Sequence, residues 1–168
     1  EWPYDLYQNW LQQDQALLIW AEQHWGHGLE SMYLGRKAQL DRITFRLLRV
    51  SNGGLAMELY HRIKADEASF EQLSWEYGEG AERLKAGLMK SQRLDKISPV
   101  LAPLLANLQT YELQPPRVVG KQYFLFQLLE RQPLVFDQSA RKQLLMEQLA
   151  CWEVPLLERL GAHLTLQG

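Results

Sequence analysis

Apolar residues occupy every second position at the start of residues 43–50, where Ile43, Phe45 and Leu47 alternate with residues of the opposite face. A period of two places these side chains on one face of a β-sheet, so the segment predicts a strand with a packed face. The run Asn52-Gly53-Gly54 follows soon after this strand. Asparagine next to glycine is typical of turns, and we interpret the run as a turn that ends the strand.

Two helices are predicted after this turn. The first carries its apolar residues at helical spacing and crosses back over the sheet. Its stripe consists of Leu55, Leu59 and Ile63, widened by Met57 and Tyr60.

The second helix is predicted to be short, about two turns. Ser69 and Gln72 form a capping box at its start. Gly78 suits a left-handed stop at its end. The apolar face of this helix consists of Phe70, Leu73 and Tyr77.

A loop, a further helix and a hairpin are predicted next. Residues 90–96 are polar and predict a loop, and Ser98-Pro99 suits the start of a helix that extends to about residue 108. The prolines at positions 115 and 116 exclude a central strand, because proline cannot donate to a strand ladder. The β-prone residues 117–128, interrupted by Gly120-Lys121, predict a hairpin.

Helices are also predicted at both ends of the chain. Apolar residues recur at helical spacing within residues 1–25 and again within residues 29–41. A third helix begins at Asp137 or Ser139, and its stripe is expected to end before Pro155. Because these helices carry unmatched apolar faces, we expect the N-terminal and C-terminal helices to pack together. The stripes consist of Leu6, Trp10, Leu17, Ala21 and Trp25; of Met32, Tyr33 and Leu40; and of Leu145, Leu149 and Trp152, continued by Leu156 and Leu160 to Gly161.

Composition limits the class of protein. The 168 residues, 46% hydrophobic and 23% charged, allow one compact domain or a small domain with a helical annex. A formal net charge of -2 gives no basic field for binding nucleic acid. No apolar run reaches the length of a membrane span and no signal peptide opens the chain, so we expect no membrane span. Since Glu1 is not a methionine, a cytoplasmic protein and an exported protein whose leader was removed both stay open.

Few other residues carry recognisable chemistry. His24 and His27 have a spacing that two metal ligands could use, but no cysteine lies near them in sequence, and we interpret them as a surface pair. The single cysteine, Cys151, excludes an internal disulfide and is expected to pack rather than react. His61 is expected to face solvent. The sequence has no phosphate-binding loop, nucleophile elbow or dinucleotide motif, and we expect no metal and no cofactor.

The order of these elements resembles the parvulin family of peptidyl-prolyl isomerases, especially the modules of bacterial SurA-type and PrsA-type foldases. Three motifs carry the resemblance: a first strand with Arg46-Leu47-Leu48-Arg49, a helix from Ala68-Ser69-Phe70 through Leu73 to Tyr77-Gly78, and the element Ala86-Gly87-Leu88-Met89. The resemblance implies an α+β fold, in which a parvulin-like small antiparallel sheet flanked by helices is inserted between N-terminal and C-terminal helices. The corresponding domains are residues 1–38, 39–132 and 133–168.

The resemblance also implies where a catalytic site would lie. Parvulins place two histidines on neighbouring strands, with a cysteine or aspartate nearby, to polarise the site of isomerisation. These positions correspond to Arg46, to Tyr123 or Phe124, and to Glu79. Arginine is permanently charged and only donates hydrogen bonds, so it cannot replace a neutral imidazole in a histidine pair.

The family's apolar pocket for the proline ring corresponds to Leu94 or Ile97, to Val100 and to Phe124. Packing in an ordinary hydrophobic core would explain these residues equally well. We therefore expect a foldase or chaperone that binds unfolded, extended or proline-containing polypeptide, with prolyl isomerase activity weak or absent.

Two alternatives stay open. The first is an active isomerase that uses Glu79, Tyr123 and the shape of the pocket. The second is a non-catalytic scaffold or interaction subunit, for which the tryptophan-rich helices would form an interface with a protein partner or with a second copy of the chain.

Overall fold

Two compact units make up the chain. The computed structural model describes the backbone of residues 4–165 and the side chains of residues 15–155. One unit combines Glu1–Arg36 with Val135–Gly168, and the other is Lys37–Leu134. No helix in the described part of the chain is long and apolar enough to cross a membrane.

Helices and strands follow each other as an α+β fold, as the sequence predicted. Short 3₁₀ turns lie at Gly26–Gly28, Ala81–Lys85 and Leu94–Lys96. The longer elements are α1 (Tyr4–Trp25), α2 (Leu29–Leu40), β1 (Arg42–Val50), α3 (Gly53–Lys64), α4 (Phe70–Tyr77), β2 (Leu88–Arg93), α5 (Ala102–Ala106), β3 (Leu113–Val119), β4 (Gln122–Gln132) and α6 (Gln138–Thr165).

The helices α1 and α6, from opposite ends of the chain, pack against each other, which confirms the predicted pairing. Arg141 on α6 donates to the carboxylate of Glu22 on α1 and, over 2.9 Å, to the carbonyl of Gly26. The rings of Trp20 and Trp152 join the same two helices with their centroids 5.0 Å apart. The predicted stripe positions Leu6, Trp10, Leu156 and Leu160 lie outside the described side chains.

Helix α6 departs from the prediction in its length and at Cys151. It continues through Pro155, where the apolar stripe was expected to be interrupted, and passes the expected stop at Gly161 to end at Thr165. Proline removes the backbone donor to the carbonyl of Cys151, four residues earlier, but this residue is exposed, so water can replace the missing donor. The exposure of Cys151 also makes the expectation of a packed thiol wrong. His24, His27 and His61 are exposed, as predicted.

The four strands of the second unit form one antiparallel sheet in the order β2-β1-β4-β3. The predicted hairpin is confirmed, with Val119 paired to Gln122 across the turn and Gly120 at a φ of 64°. Strand β3 contains both prolines and lies at an edge, as their missing N–H groups require.

Both faces of the sheet are packed. Phe45 and Leu47 of β1 pack with Leu105 of α5 on one side, hereafter the α5 face. Leu48 and Val50 pack with α3 and α4 on the other side, hereafter the α3–α4 face. The alternation of β1 is thus confirmed. The α5 face buries Ile43, Phe45, Leu47, Leu94, Ile97, Leu105, Leu108, Phe124, Phe126 and Leu128.

Helix α3 begins earlier than predicted. The Oδ1 atom of Asn52 accepts a hydrogen bond of 3.0 Å from the N–H of Leu55, which makes Asn52 the N-cap and Gly53-Gly54 the first helical residues rather than a turn. A Cβ on Gly53 would lie 2.6 Å from the Tyr123 ring, so glycine permits this close approach. The expectation that Met57 widens the buried stripe is wrong, since that side chain is 44% exposed.

Helix α4 begins as predicted and ends differently. Ser69 caps it by accepting a 3.1 Å hydrogen bond from the N–H of Gln72, and Phe70 and Leu73 are buried. Gly78 has a φ of −60°, so the expected left-handed stop is wrong. Glycine is needed there because a Cβ would lie 2.4 Å from the Ser74 carbonyl oxygen.

The loop expected over residues 90–96 is replaced by the second half of β2 and a 3₁₀ turn. Strand β2 is an edge strand with several side chains in solvent, which accounts for its polar sequence. Helix α5 is also shorter than predicted, and Arg131 of β4 donates to the carbonyls of Leu105 and Ala106 at its end.

Candidate functional site

The two strand positions proposed as equivalents of the catalytic histidines can be placed by their register. Arg46 pairs with Gln127, and Tyr123 pairs with Val50, so the two lie four residues apart along the strands, about 13 Å. Both belong to the α3–α4 face. Arg46 forms an ion pair there with Glu71 of α4, and the Tyr123 ring packs against Gly53. These side chains are therefore committed to contacts with helices and do not form a pair.

Glu79, the third candidate, lies just after α4 and is exposed. Its Oε1 atom accepts hydrogen bonds from the backbone N–H of Ser51 at 3.0 Å and from the hydroxyl of Ser51 at 2.9 Å. These bonds lower the pKa of the Glu79 carboxyl, because they favour its ionised form. The group is thus a carboxylate that holds a loop, not an acid that is ready to donate a proton.

Three of the four pocket candidates share the α5 face. Leu94, Ile97 and Phe124 are buried in one apolar cluster, whereas Val100 is 56% exposed. Leu94 and Ile97 also border a cavity of about 470 Å³ beside α5. Its remaining walls are Gln39, Asp95, Pro99, Ala102, Pro103 and Ala106. Neither Phe124 nor Val100 lines this cavity, so the structure brings two of the four candidates together in one concave site.

A row of three side chains crosses the α5 face at the end near the β3–β4 turn. Phe124 of β4 is paired with Arg49 of β1 on one side and with Arg117 of β3 on the other. Directly paired residues in antiparallel strands project from the same face. The Arg49 guanidinium lies over the Phe124 ring, 5.8 Å from its centroid, in cation–π geometry.

Arg49 is held in place by Glu82. Its Nε and Nη2 atoms donate to the two carboxylate oxygens of Glu82 over 2.7 and 2.6 Å, a bidentate pair. The Glu82 side chain is only 4% exposed and that of Arg49 is 30% exposed. The carboxylate raises the pKa of Arg49 further above its ordinary value, so this guanidinium is always charged.

The loop after α4 positions Glu82. The backbone N–H of Glu79 donates to the carbonyl of Arg49, and the N–H of Leu47 donates to the carbonyl of Gly87, so both ends of the loop are fixed to β1. A Cβ on Gly80 would lie within 2.2 Å of the Glu82 carboxylate and the Arg49 guanidinium. Glycine at position 80 therefore leaves the space in which the ion pair sits.

The chemistry available at this row is binding rather than proton transfer. Arginine only donates hydrogen bonds, and both oxygens of the Glu82 carboxylate are already occupied by Arg49. No histidine stands on the described strands of the sheet. An apolar group can pack against the partly buried side chains that cover the cluster of Phe124, and the row can pair with an acceptor through guanidinium groups.

Sequence reasoning did not find Arg49, Glu82 or Arg117. A signal for Arg49 was present, since it continues the odd-numbered set of β1 that begins at Ile43 and faces α5. No comparable signal existed for Arg117, because the face of the sheet from which this side chain projects depends on a register shift in β3 between Gln114 and Arg117.

Comparisons with solved structures show what this fold is similar to. The peptidylprolyl isomerase PrsA from Bacillus anthracis superposes with a TM-score of 0.56 at 15% identity, over 83% of this chain and 81% of that one. PrsA from Bacillus cereus gives a TM-score of 0.57 at 13% identity, over 85% of this chain but only 57% of that one. A structure described as a SurA-like chaperone from Campylobacter jejuni gives 0.51 at 13% identity, over 98% and 73% of the two chains.

No protein-family model matches the sequence, and no curated protein matches it either. The likeness therefore concerns the fold, and at this level it confirms the resemblance indicated by the sequence motifs: the chain has a parvulin-like fold.

Proposed function

We propose that the chain binds extended, proline-containing polypeptide on the α5 face as a foldase or chaperone, with prolyl isomerase activity weak or absent. The observation that carries this proposal is the row Arg49, Phe124 and Arg117. It lies on the face of a parvulin-like sheet, combines a buried aromatic ring with guanidinium groups, and contains no neutral proton donor or acceptor pair.

Apolar surface on the same face as this row supports a peptide-binding role. Met89, Leu101, Leu104 and Val119 pack against the same buried cluster as Phe124 and are only partly buried. A proline ring or another apolar side chain can bury area against such a rim at about 25 cal/mol per Å². Phe124 itself is 7% exposed, so a bound peptide contacts mainly this rim and the arginines.

The expected lack of catalysis follows from the polar groups. Rotation about the prolyl bond has a barrier of about 18–20 kcal/mol, which falls when the amide loses double-bond character. Each tenfold acceleration requires about 1.4 kcal/mol of transition-state stabilisation. A guanidinium already held by the Glu82 carboxylate has little electrostatic freedom to respond to charge that develops on the substrate amide.

Exchange NMR on a panel of short Xaa-Pro peptides tests the proposal. With the protein at catalytic concentration, we expect chemical-shift changes that report binding and no added exchange between cis and trans peaks. Exchange cross-peaks that grow with protein concentration would establish the enzyme alternative. Absence of any binding would refute the peptide-binding role.

A scaffold function is the second candidate, and the helical unit favours it. Trp20, Trp25 and Trp152 form a contiguous aromatic cluster, with ring centroids 5.0–6.5 Å apart. Trp152 is 43% exposed, and Ile19 is 61% exposed. Exposed apolar surface of this kind is used for protein interfaces. Sedimentation of the chain over a concentration series tests for self-association through this surface.

A further inference from the structure

We propose that Arg117 gives the peptide-binding face a preference for an acidic side chain in the bound polypeptide. This inference rests on the proposed function, because it names the chemistry that the same face selects. Arg117 is directly paired with Phe124, so its side chain projects from the α5 face beside the aromatic ring. Its side chain is exposed and takes part in none of the hydrogen bonds or ion pairs described for residues 15–155.

The charge at the β3 end of this row, away from the Glu79 carboxylate beside β1, favours an anion. Glu82 neutralises Arg49, which leaves Arg117 as the unpaired charge of the row. Lys121 in the neighbouring turn adds a second exposed positive charge. The acidic residue that directly precedes β3, Glu112, already accepts hydrogen bonds from Gln109 and Gln114. A carboxylate in the ligand therefore finds donors here that no described carboxylate of the protein uses.

The projection of Arg117 depends on a bulge in β3. Gln114 is paired with Phe126 and Arg117 with Phe124, so Pro115 and Pro116 together oppose the single residue Leu125. In a regular strand, position 117 would oppose Tyr123 and project from the α3–α4 face. The extra residue returns Arg117 to the α5 face. Proline fixes φ near −65°, so two consecutive prolines hold this geometry with little conformational freedom.

A binding experiment with matched peptides tests the preference. Fluorescein-labelled peptides that contain a Leu-Pro pair are made with Glu, Gln or Lys at each of the three positions that flank it. For the protein with Arg117 we expect one Glu peptide to bind about three- to fivefold more tightly than its Gln counterpart, the range of a well-placed exposed ion pair. The ratio should fall toward one as salt rises from 0.05 to about 1 M, since salt screens exposed charges.

Two variants and a control separate this preference from general charge. Arg117→Gln should bring the Glu to Gln ratio to about one, and Arg117→Glu should reverse the preference in favour of the Lys peptide. Lys64→Gln removes one exposed positive charge from α3 on the other side of the sheet and should leave the ratio unchanged.

The outcomes distinguish this inference from the proposed function. Binding of Glu and Gln peptides with equal affinity, or a Glu preference that persists in Arg117→Gln, would overturn the role of Arg117 and leave peptide binding intact. If none of the peptides bound, both the proposed function and this inference would be refuted.

Discussion

The serines at position 74 of α4 and at its N-cap, position 69, differ in what their hydroxyl groups contribute to the stability of the fold. Ser74 is fully buried, and no described residue makes a hydrogen bond with its hydroxyl. The hydroxyl of Ser69 caps α4. Substitution by alanine removes one oxygen in each case, so we expect Ser74→Ala to stabilise the fold and Ser69→Ala to destabilise it.

The magnitude follows from three contributions. A buried hydroxyl without a partner costs about 1–3 kcal/mol of desolvation, which Ser74→Ala recovers. Alanine adds about 0.5 kcal/mol of helix propensity. The oxygen packs closely against Gly87, where a Cβ would approach it to 2.8 Å, and the loss of these contacts costs about 0.5 kcal/mol. The propensity gain and the packing loss cancel, so the net expectation is a gain of about 1–3 kcal/mol for Ser74→Ala, against a loss of about 1 kcal/mol for Ser69→Ala.

Amide hydrogen exchange is the suitable assay. The slowest amides of the central strands β1 and β4 report the free energy of unfolding of the unit that contains α4. Glu76→Ala, at an exposed position of the same helix outside its cap, controls for propensity and should change this free energy by less than about 0.5 kcal/mol. A loss of stability of about 1 kcal/mol or more in Ser74→Ala would refute the reasoning, because it would show that the buried hydroxyl has a hydrogen-bond partner such as a water molecule.

Two further predictions concern the loop after α4. Glu82→Ala leaves the partly buried Arg49 without its bidentate partner and should destabilise the fold by about 3 kcal/mol. The double substitution Arg49→Met with Glu82→Leu should recover most of this loss, because it removes both charges. Urea denaturation of both variants measures these changes, and equal stability of Glu82→Ala and the parent protein would contradict the prediction. Ser51 lowers the pKa of Glu79 below its ordinary value of 4.5, so the ionised carboxyl stabilises the fold above pH 4.5, and this contribution is lost as the pH falls below 4.5 through the folded-state pKa. In denaturation series between about pH 3 and about pH 6, Glu79→Gln should lose this part of the pH dependence of stability. An unchanged pH profile would contradict the role assigned to Glu79.

Local sequence signals predicted much of the fold. The alternation at Ile43, Phe45 and Leu47 identified β1, the Ser69 and Gln72 pair identified the start of α4, and Gly120-Lys121 identified the hairpin turn. Each signal depends on residues that are close in sequence, which is why it could be interpreted from sequence alone. The correct order of these elements then indicated the parvulin-like fold.

Features of the structure that depend on tertiary contacts could not be predicted from local sequence signals. Strand β2 is polar because it lies at an edge, and its sequence alone resembled a loop. The ion pair of Arg49 with Glu82 joins residues 33 positions apart in the chain. Arg46 satisfied a local motif, yet its place in the alternation of β1 put it on the face that α4 covers.

The bulges in the edge strands β2 and β3 hinder the pairing of unfolded chains with the edges of the sheet. Lys90 and Ser91 of β2 oppose Thr44 alone, and Arg42 donates to the carbonyl of Ser91 over 3.2 Å. At the opposite edge, the two prolines of β3 lack N–H donors. An incoming regular strand cannot match the hydrogen-bond spacing of either edge, so neither is a good template for aggregation. A protein with the proposed function can therefore bind an aggregation-prone polypeptide through side chains on one face of its sheet without adding that polypeptide to the sheet as another strand.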